Sequence, residues 1–200
     1  MSRQDQKAAT RRKVLEAARD LFQTIGYEES TIRAIALAAG VSVGSVFNAF
    51  SSKSAILSEV MQERLVALHD ELQRVLPHLR GSTVDRLRSI FAIHYAFQSE
   101  RIRTFLAHIA SAYSLQQDPG AVPFGRNAPL RQIIQDILLG GMERGDVDRN
   151  VEIEMVLDVI LAAYSWNYRL AAASNVDAAV LTGHMDRQLG LIFQGVGARA

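Results

Sequence analysis

Asn48 is the residue in this chain best equipped to read a nucleic-acid base, because its amide offers a donor and an acceptor that match adenine N6 and N7 together. It lies in residues 31–50, TIRAIALAAGVSVGSVFNAF, where Gly44 and Ser45 are small enough for backbone to approach a phosphate. Val43 and Phe47 belong to the same outer face. Thr31, Arg33, Ser42 and Lys53, with Arg11 or Arg12, supply hydroxyl and cationic groups for phosphate contacts. Such contacts fix a docking register without reading sequence.

Other chemistries find less support. The five histidines, His69, His78, His94, His108 and His184, form no HExxH pair and no set completed by a nearby carboxylate, so no metal site is expected. There is no cysteine, which excludes disulfides, thiol chemistry and cysteine-ligated zinc. A glycine-rich phosphate loop and a nucleophile elbow are both missing, as is any strand to carry them. The adjacent carboxylates Glu28 and Glu29, and the pair Glu152 and Glu154, fall in a connector and at a helix start, where solvation accounts for them. The chain reads as a non-enzyme with no cofactor.

The elements that must hold Asn48 follow from apolar spacing. Residues 31–39 and 43–50 are two short periodic segments hinged on Ala39-Gly40-Val41-Ser42, the layout of a helix-turn-helix. Before them, Val14, Leu15, Ala18, Leu21, Phe22 and Ile25 recur at helical spacing, and Gly26 stops that helix. Residues 1–9 lack such a stripe and are expected to be a mobile arm. After the motif, Ser52 can cap a longer helix that repeats Ile56, Leu57, Val60, Met61, Leu65, Leu68, Leu72 and Val75 up to Pro77. The remainder is helical throughout, with segments at about 83–98, 101–115, 129–144, 151–173 and 176–194. The expected fold is all-α, about nine helices, and no uncharged apolar run approaches the ~20 residues of a membrane span. A soluble, cytoplasmic protein is expected.

Residues 10–22 (TRRKVLEAARDLF), Gly26-Tyr27, residues 31–36 (TIRAIA), residues 39–42 (AGVS), residues 44–47 (GSVF), Phe50 and Ser52-Lys53 together resemble the DNA-binding domain of TetR-family transcriptional regulators. The turn at residues 141–145, GMERG, is similar to a segment often seen in that family's C-terminal part. The resemblance implies a three-helix helix-turn-helix domain at about 8–68 and a ligand-binding and dimerisation domain at 69–200. Binding would be to double-stranded DNA at a palindromic operator, as a homodimer, since two recognition helices about one DNA turn (~34 Å) apart read a palindrome. A small-molecule effector would release a repressor from that operator.

Family members often carry Lys at the position of Val43, Tyr at Phe47 and a bulky polar or aromatic residue at Ala49. With eight basic against six acidic residues over positions 1–60, the net charge there is only +2, so phosphate-driven, non-specific affinity is modest. An interaction protein that docks its helix-turn-helix on another protein is the alternative reading. Phe47→Tyr and Val43→Lys are each expected to tighten DNA binding, the lysine also steepening its salt dependence. Unchanged affinity in both would remove this face from the DNA backbone.

By the same resemblance, Phe91, His94, Tyr95, Phe105, His108 and Tyr113 lie on the two helices that commonly line the effector cavity. An apolar or aromatic effector with a few polar handles suits them; ordinary aromatic core accounts equally well for each residue taken singly. Tyr164, Trp166 and Tyr168 fall on a helix of little charge, which suits core or burial against a second subunit.

Overall fold

The computed structural model describes residues 2–112, 128–174 and 176–196. Within them, nine α-helices and one short 3-10 turn account for the regular structure, with no strand. In chain order they are α1 (Arg3–Thr24), α2 (Ile32–Ala38), α3 (Val43–Ala49), α4 (Lys53–Val75), α5 (Thr83–Ser99), α6 (Ile102–Ala112), α7 (Ala128–Arg144), α8 (Ile153–Ser174) and α9 (Ala178–Val196). Two compact units result. The first takes the residues up to Val66 together with α6, and the second takes the chain from Ala67 to Glu100 with α7, α8 and α9.

The first unit is built on α1, against which α2, α3 and α6 pack. Its interior is Val14, Leu15, Ala18 and Phe22 from α1, Ile35 and Ala36 from α2, Val46 from α3, and Ile56, Leu57, Val60 and Met61 from α4. The expected mobile arm is corrected: α1 begins at Arg3. Ser2 caps it, its Oγ accepting from the Asp5 backbone N–H while the Asp5 carboxylate accepts from the Ser2 N–H. That reciprocal pair satisfies two free donors and starts a helix without an apolar stripe. These bonds to Ser2 also hold the exposed Asp5 carboxyl below its usual range.

The second unit joins α5 to α9 and α7, and α8 to α7 and α9. Leu87, Ile90 and Phe91 of α5, Ile134 and Leu138 of α7, Leu157 and Ile160 of α8, and Leu181, Met185 and Leu189 of α9 fill it. Its first helix is tied to the turn after α7. The Thr83 backbone N–H and hydroxyl both donate to the Asp146 carboxylate, the latter at 3.0 Å, and Arg144 Nη2 donates to Thr83 Oγ1 at 2.9 Å.

Candidate nucleic-acid interface and buried polar core

The turn between α2 and α3 is closed by backbone chemistry. Gly40, at φ +63°, donates to the Leu37 carbonyl and Val41 N–H to the Ala36 carbonyl at 3.0 Å. This pairing of a left-handed residue with two backward bonds ends α2. Ser42 then caps α3, its Oγ accepting from Ser45 N–H at 3.1 Å. The consequence is a bend of 102° between α2 and α3, within the ~90–120° of helix-turn-helix units. Thr31 caps α2 in the same manner.

Val46 is fully buried, and the side of α3 turned away from it presents Ser42, Val43, Gly44, Phe47 and Asn48 to solvent. Thr31 and Arg33 at the start of α2 are exposed as well. Ser45 is half-buried, and its hydroxyl lies 2.8 Å from Ser42 Oγ. The two serines are therefore engaged with each other and with the helix start.

Two of the basic residues expected on phosphate have structural work instead. Lys53 Nζ donates to the Tyr27 carbonyl at 2.8 Å and the Glu28 carbonyl at 3.3 Å, and stands 4.1 Å from the centre of the Tyr27 ring. Two of its three donors are thus spent on closing the connector between α1 and α2. Arg11 forks onto the Glu59 carboxylate, donates to the Ala49 carbonyl at the end of α3 at 2.6 Å, and stacks 4.2 Å over Phe50. Arg11→Ala is expected to lower the stability of this unit by about 1–2 kcal/mol, since a half-exposed pair is worth little but the bond to a helix-end carbonyl is lost with it. Its check is urea unfolding alongside the salt slope of DNA binding, which should hold. Arg12, Lys13 and Arg33 remain exposed.

In the second unit, three expected effector residues come together. Phe91, His94 and Tyr95 of α5 are all buried and meet Tyr164 and Tyr168 of α8. His94 stands edge-on to Tyr164 with ring centres 5.0 Å apart, and Tyr164 lies 5.6 Å from Phe91 and 5.7 Å from Tyr95. The Tyr164 hydroxyl is 2.9 Å from His94 Nδ1. Burial pushes the His94 imidazole down to about 3, so it is neutral at physiological pH. The same desolvation raises the Tyr95, Tyr164 and Tyr168 hydroxyls well above the usual phenol range.

Placement of the dimer residues is corrected here. Tyr164 and Tyr168 are inside their own unit, because α8 turns them toward α5, whereas Trp166 is 54% exposed on the other side of the helix. Phe105 and His108 lie on α6 in the first unit, Phe105 buried and His108 half-buried. Tyr113 lies outside the described residues.

The sequence reading missed three amides. Asn167 Nδ2 donates to Tyr95 Oη at 3.0 Å and to Gln188 Oε1 at 2.8 Å, and Gln188 Nε2 returns a bond to Asn167 Oδ1 at 3.2 Å. This pair bolts α8 to α9 and α5. Gln98 is completely buried, yet neither its amide oxygen nor its nitrogen has a partner among the described residues. Its spacing from His94, one helical turn on, was the available signal.

Residues 14–60 match the family of bacterial regulatory proteins known as tetR. KstR2 of Mycolicibacterium smegmatis, a helix-turn-helix transcriptional repressor, is 27% identical over 153 residues, which span 76% of this chain and 74% of that protein. FadR of Thermus thermophilus, a TetR-family repressor solved with lauroyl-CoA, superposes with a TM-score of 0.72 at 27% identity over 95% of this chain and 96% of that one. Residues 14–60 therefore carry a tetR-family DNA-binding domain, and the chain as a whole is similar to TetR-family repressors. FadR of Bacillus subtilis, solved with stearoyl-CoA, shares the fold at 18% identity and a TM-score of 0.69, over 92% of this chain and 98% of that one. A TetR-family regulator binds DNA through its helix-turn-helix, which here is α2 and α3.

Proposed function

We propose that this regulator is a cytoplasmic, one-component repressor that holds a palindromic operator as a homodimer and lets go when a small molecule enters the α5–α8 interior. The observation that carries the reading is the solvent-facing side of α3, where Asn48 stands beside Phe47 on a helix anchored from behind by Val46. Asn48 reads adenine, and Arg33 and Thr31 take phosphates, with Arg12 and Lys13 adding charge. Residues 8–68 serve as the DNA-binding domain, and the expected effector and dimer domain at 69–200 is narrowed to α5, α7, α8 and α9, because α6 packs on α1 in the first unit.

Dimerisation has a surface to use. Met155, Val159 and Trp166 repeat at helical spacing along the outside of α8, and Val180 and Leu191 do so on α9, all of them 43–68% exposed. Exposed large apolar side chains in such rows are costly in water and suit burial against a second copy.

The effector reading rests on the buried neutral polar groups of the second unit. Thr83, His94, Gln98 and Asn167 are the buried polar side chains among its described residues, and none of these four is charged at neutral pH. An apolar or aromatic ligand body with an uncharged hydrogen-bonding group facing Gln98 suits those side chains. The acyl-CoA bound by the two FadR relatives has such an apolar part. Gln98→Met is expected to raise the stability of the ligand-free protein by about 1 kcal/mol, since it removes two unpaired buried polar atoms at similar volume, and to abolish effector response. A lower melting temperature in Gln98→Met would make Gln98 a structural residue. Coupling would pass along α4, which is continuous from the first unit into the second. A ligand shifts the balance of DNA-competent and released states only by its differential affinity for the two.

One experiment tests the reading: selection of duplex DNA from a random pool by the purified protein, at two salt concentrations, with and without a small-molecule panel. An enriched inverted repeat lost on addition of one compound is the expected result. Enrichment of single unrepeated sites would overturn the dimer, and no enrichment would return the helix-turn-helix to protein docking.

A further inference from the structure

We propose that Val43 and Phe47 read thymine methyl groups, so that α3 selects A·T pairs in the major groove. The inference rests on α3 being the DNA-reading helix. Its seven residues, VGSVFNA, carry no charge. The helix therefore has no Arg or Lys to grip guanine O6 and N7, and no carboxylate to accept from cytosine N4. What it offers outward is two apolar side chains one turn apart, Val43 38% exposed and Phe47 55% exposed, with the exposed Asn48 next to Phe47.

Neither side chain serves the interior, which takes Val46 and Phe50 from this stretch. The two serines at the helix start are turned onto each other and onto the Ser45 N–H, which leaves them little capacity to choose a base. Among the groups on the major-groove edges, the thymine C5 methyl is the apolar one. Four residues of helix advance about 6 Å, close to two base-pair steps at ~3.4 Å. Val43 and Phe47 can therefore meet methyls about two steps apart, while Asn48 pairs with an adenine beside them. All three side chains address the two bases of an A·T pair.

The test replaces thymine by uracil, which removes the methyl and keeps the pairing edge. The full-length protein selects from two random duplex pools, one made with thymine and one with uracil throughout, and affinities are then measured on the selected site with single thymine-to-uracil changes. Burial of one methyl predicts a loss of about four-fold for each contacted thymine. In Phe47→Ala one of these losses should vanish and in Val43→Ala another, whereas Phe47→Leu should keep most of its share. Equal affinity of the natural protein for thymine and uracil sites would overturn the proposal without recourse to any variant. So would a selected core of G·C pairs, or uracil losses unchanged in both alanine variants. Binding to neither pool would instead overturn the DNA-reading role of α3, and the inference with it.

Discussion

Gly141→Ala is expected to destabilise the second unit by about 2–4 kcal/mol, whereas Gly140→Ala, one residue earlier, should be neutral or stabilise by up to about 1 kcal/mol. Both glycines are helical, so alanine gains the same propensity at each. The difference is what the new methyl meets. At Gly141 a Cβ would stand 2.2 Å from Thr83 Oγ1 and 2.6 Å from Val147 Cγ2. Relief would require α5 to move off α7, and with it the bonds of Thr83 to Asp146 and Arg144. The Gly141 carbonyl also accepts from Gly145, Asp146 and Val147, so the backbone cannot shift freely. At Gly140 the nearest atom is Arg144 Nη1 at 3.0 Å, the far end of a long side chain that can yield slightly while Nη2 keeps its bond to Thr83. Paired urea denaturation curves of the two variants check the contrast, and a Gly141 variant as stable as the Gly140 one would break the packing account.

Acidification should weaken the protein through His94. The imidazole has its folded value at about 3, against 6.5 when free, because burial opposes the charge. Between those two values the unfolded chain binds a proton that the folded chain does not, so stability rises with pH across the window and is lost as pH falls below 6.5. Each pH unit inside the window is worth about 1.4 kcal/mol, giving a loss of about 2–3 kcal/mol from this residue by pH 4.5. Tyr95, Tyr164 and Tyr168, the described hydroxyls beside it, are held above the usual phenol range and stay neutral across this window. His94→Gln retains an amide for the Tyr164 hydroxyl without a titration in this range. Unfolding followed by Trp166 fluorescence at pH 7 and pH 4.5 should give a distinctly smaller difference for His94→Gln than for the natural protein. An unchanged difference would place the acid sensitivity elsewhere, in carboxylates.

What was legible from residues alone was local in its physics. Apolar spacing, Gly40, and the capping hydroxyls of Thr31, Ser42 and Ser52 each act within a turn or two of helix, so the element order, the pivot and the outer face of α3 could be read directly. Residues 31–50 also carry the resemblance that the whole-chain comparison with FadR and KstR2 supports. Only the start of α1 escaped a local argument, because a short polar capping box has no periodicity to announce it.

Partnerships between distant segments belonged to the tertiary structure. Lys53 and Arg11 look like free cations in the sequence, and only packing brings the carbonyls of Tyr27 and Ala49 within their reach, 26 and 38 residues away. Tyr164, Trp166 and Tyr168 are indistinguishable by composition, yet the rotation of α8 sends two of them into a cluster with His94 and leaves the third in solvent. Gln98 is an ordinary polar residue until the surrounding helices bury both ends of its amide, with no partner among the described residues. The reason is common to all of them: helix propensity and capping are decided by near neighbours in the chain, whereas the role of a polar or aromatic side chain is decided by which distant groups share its volume.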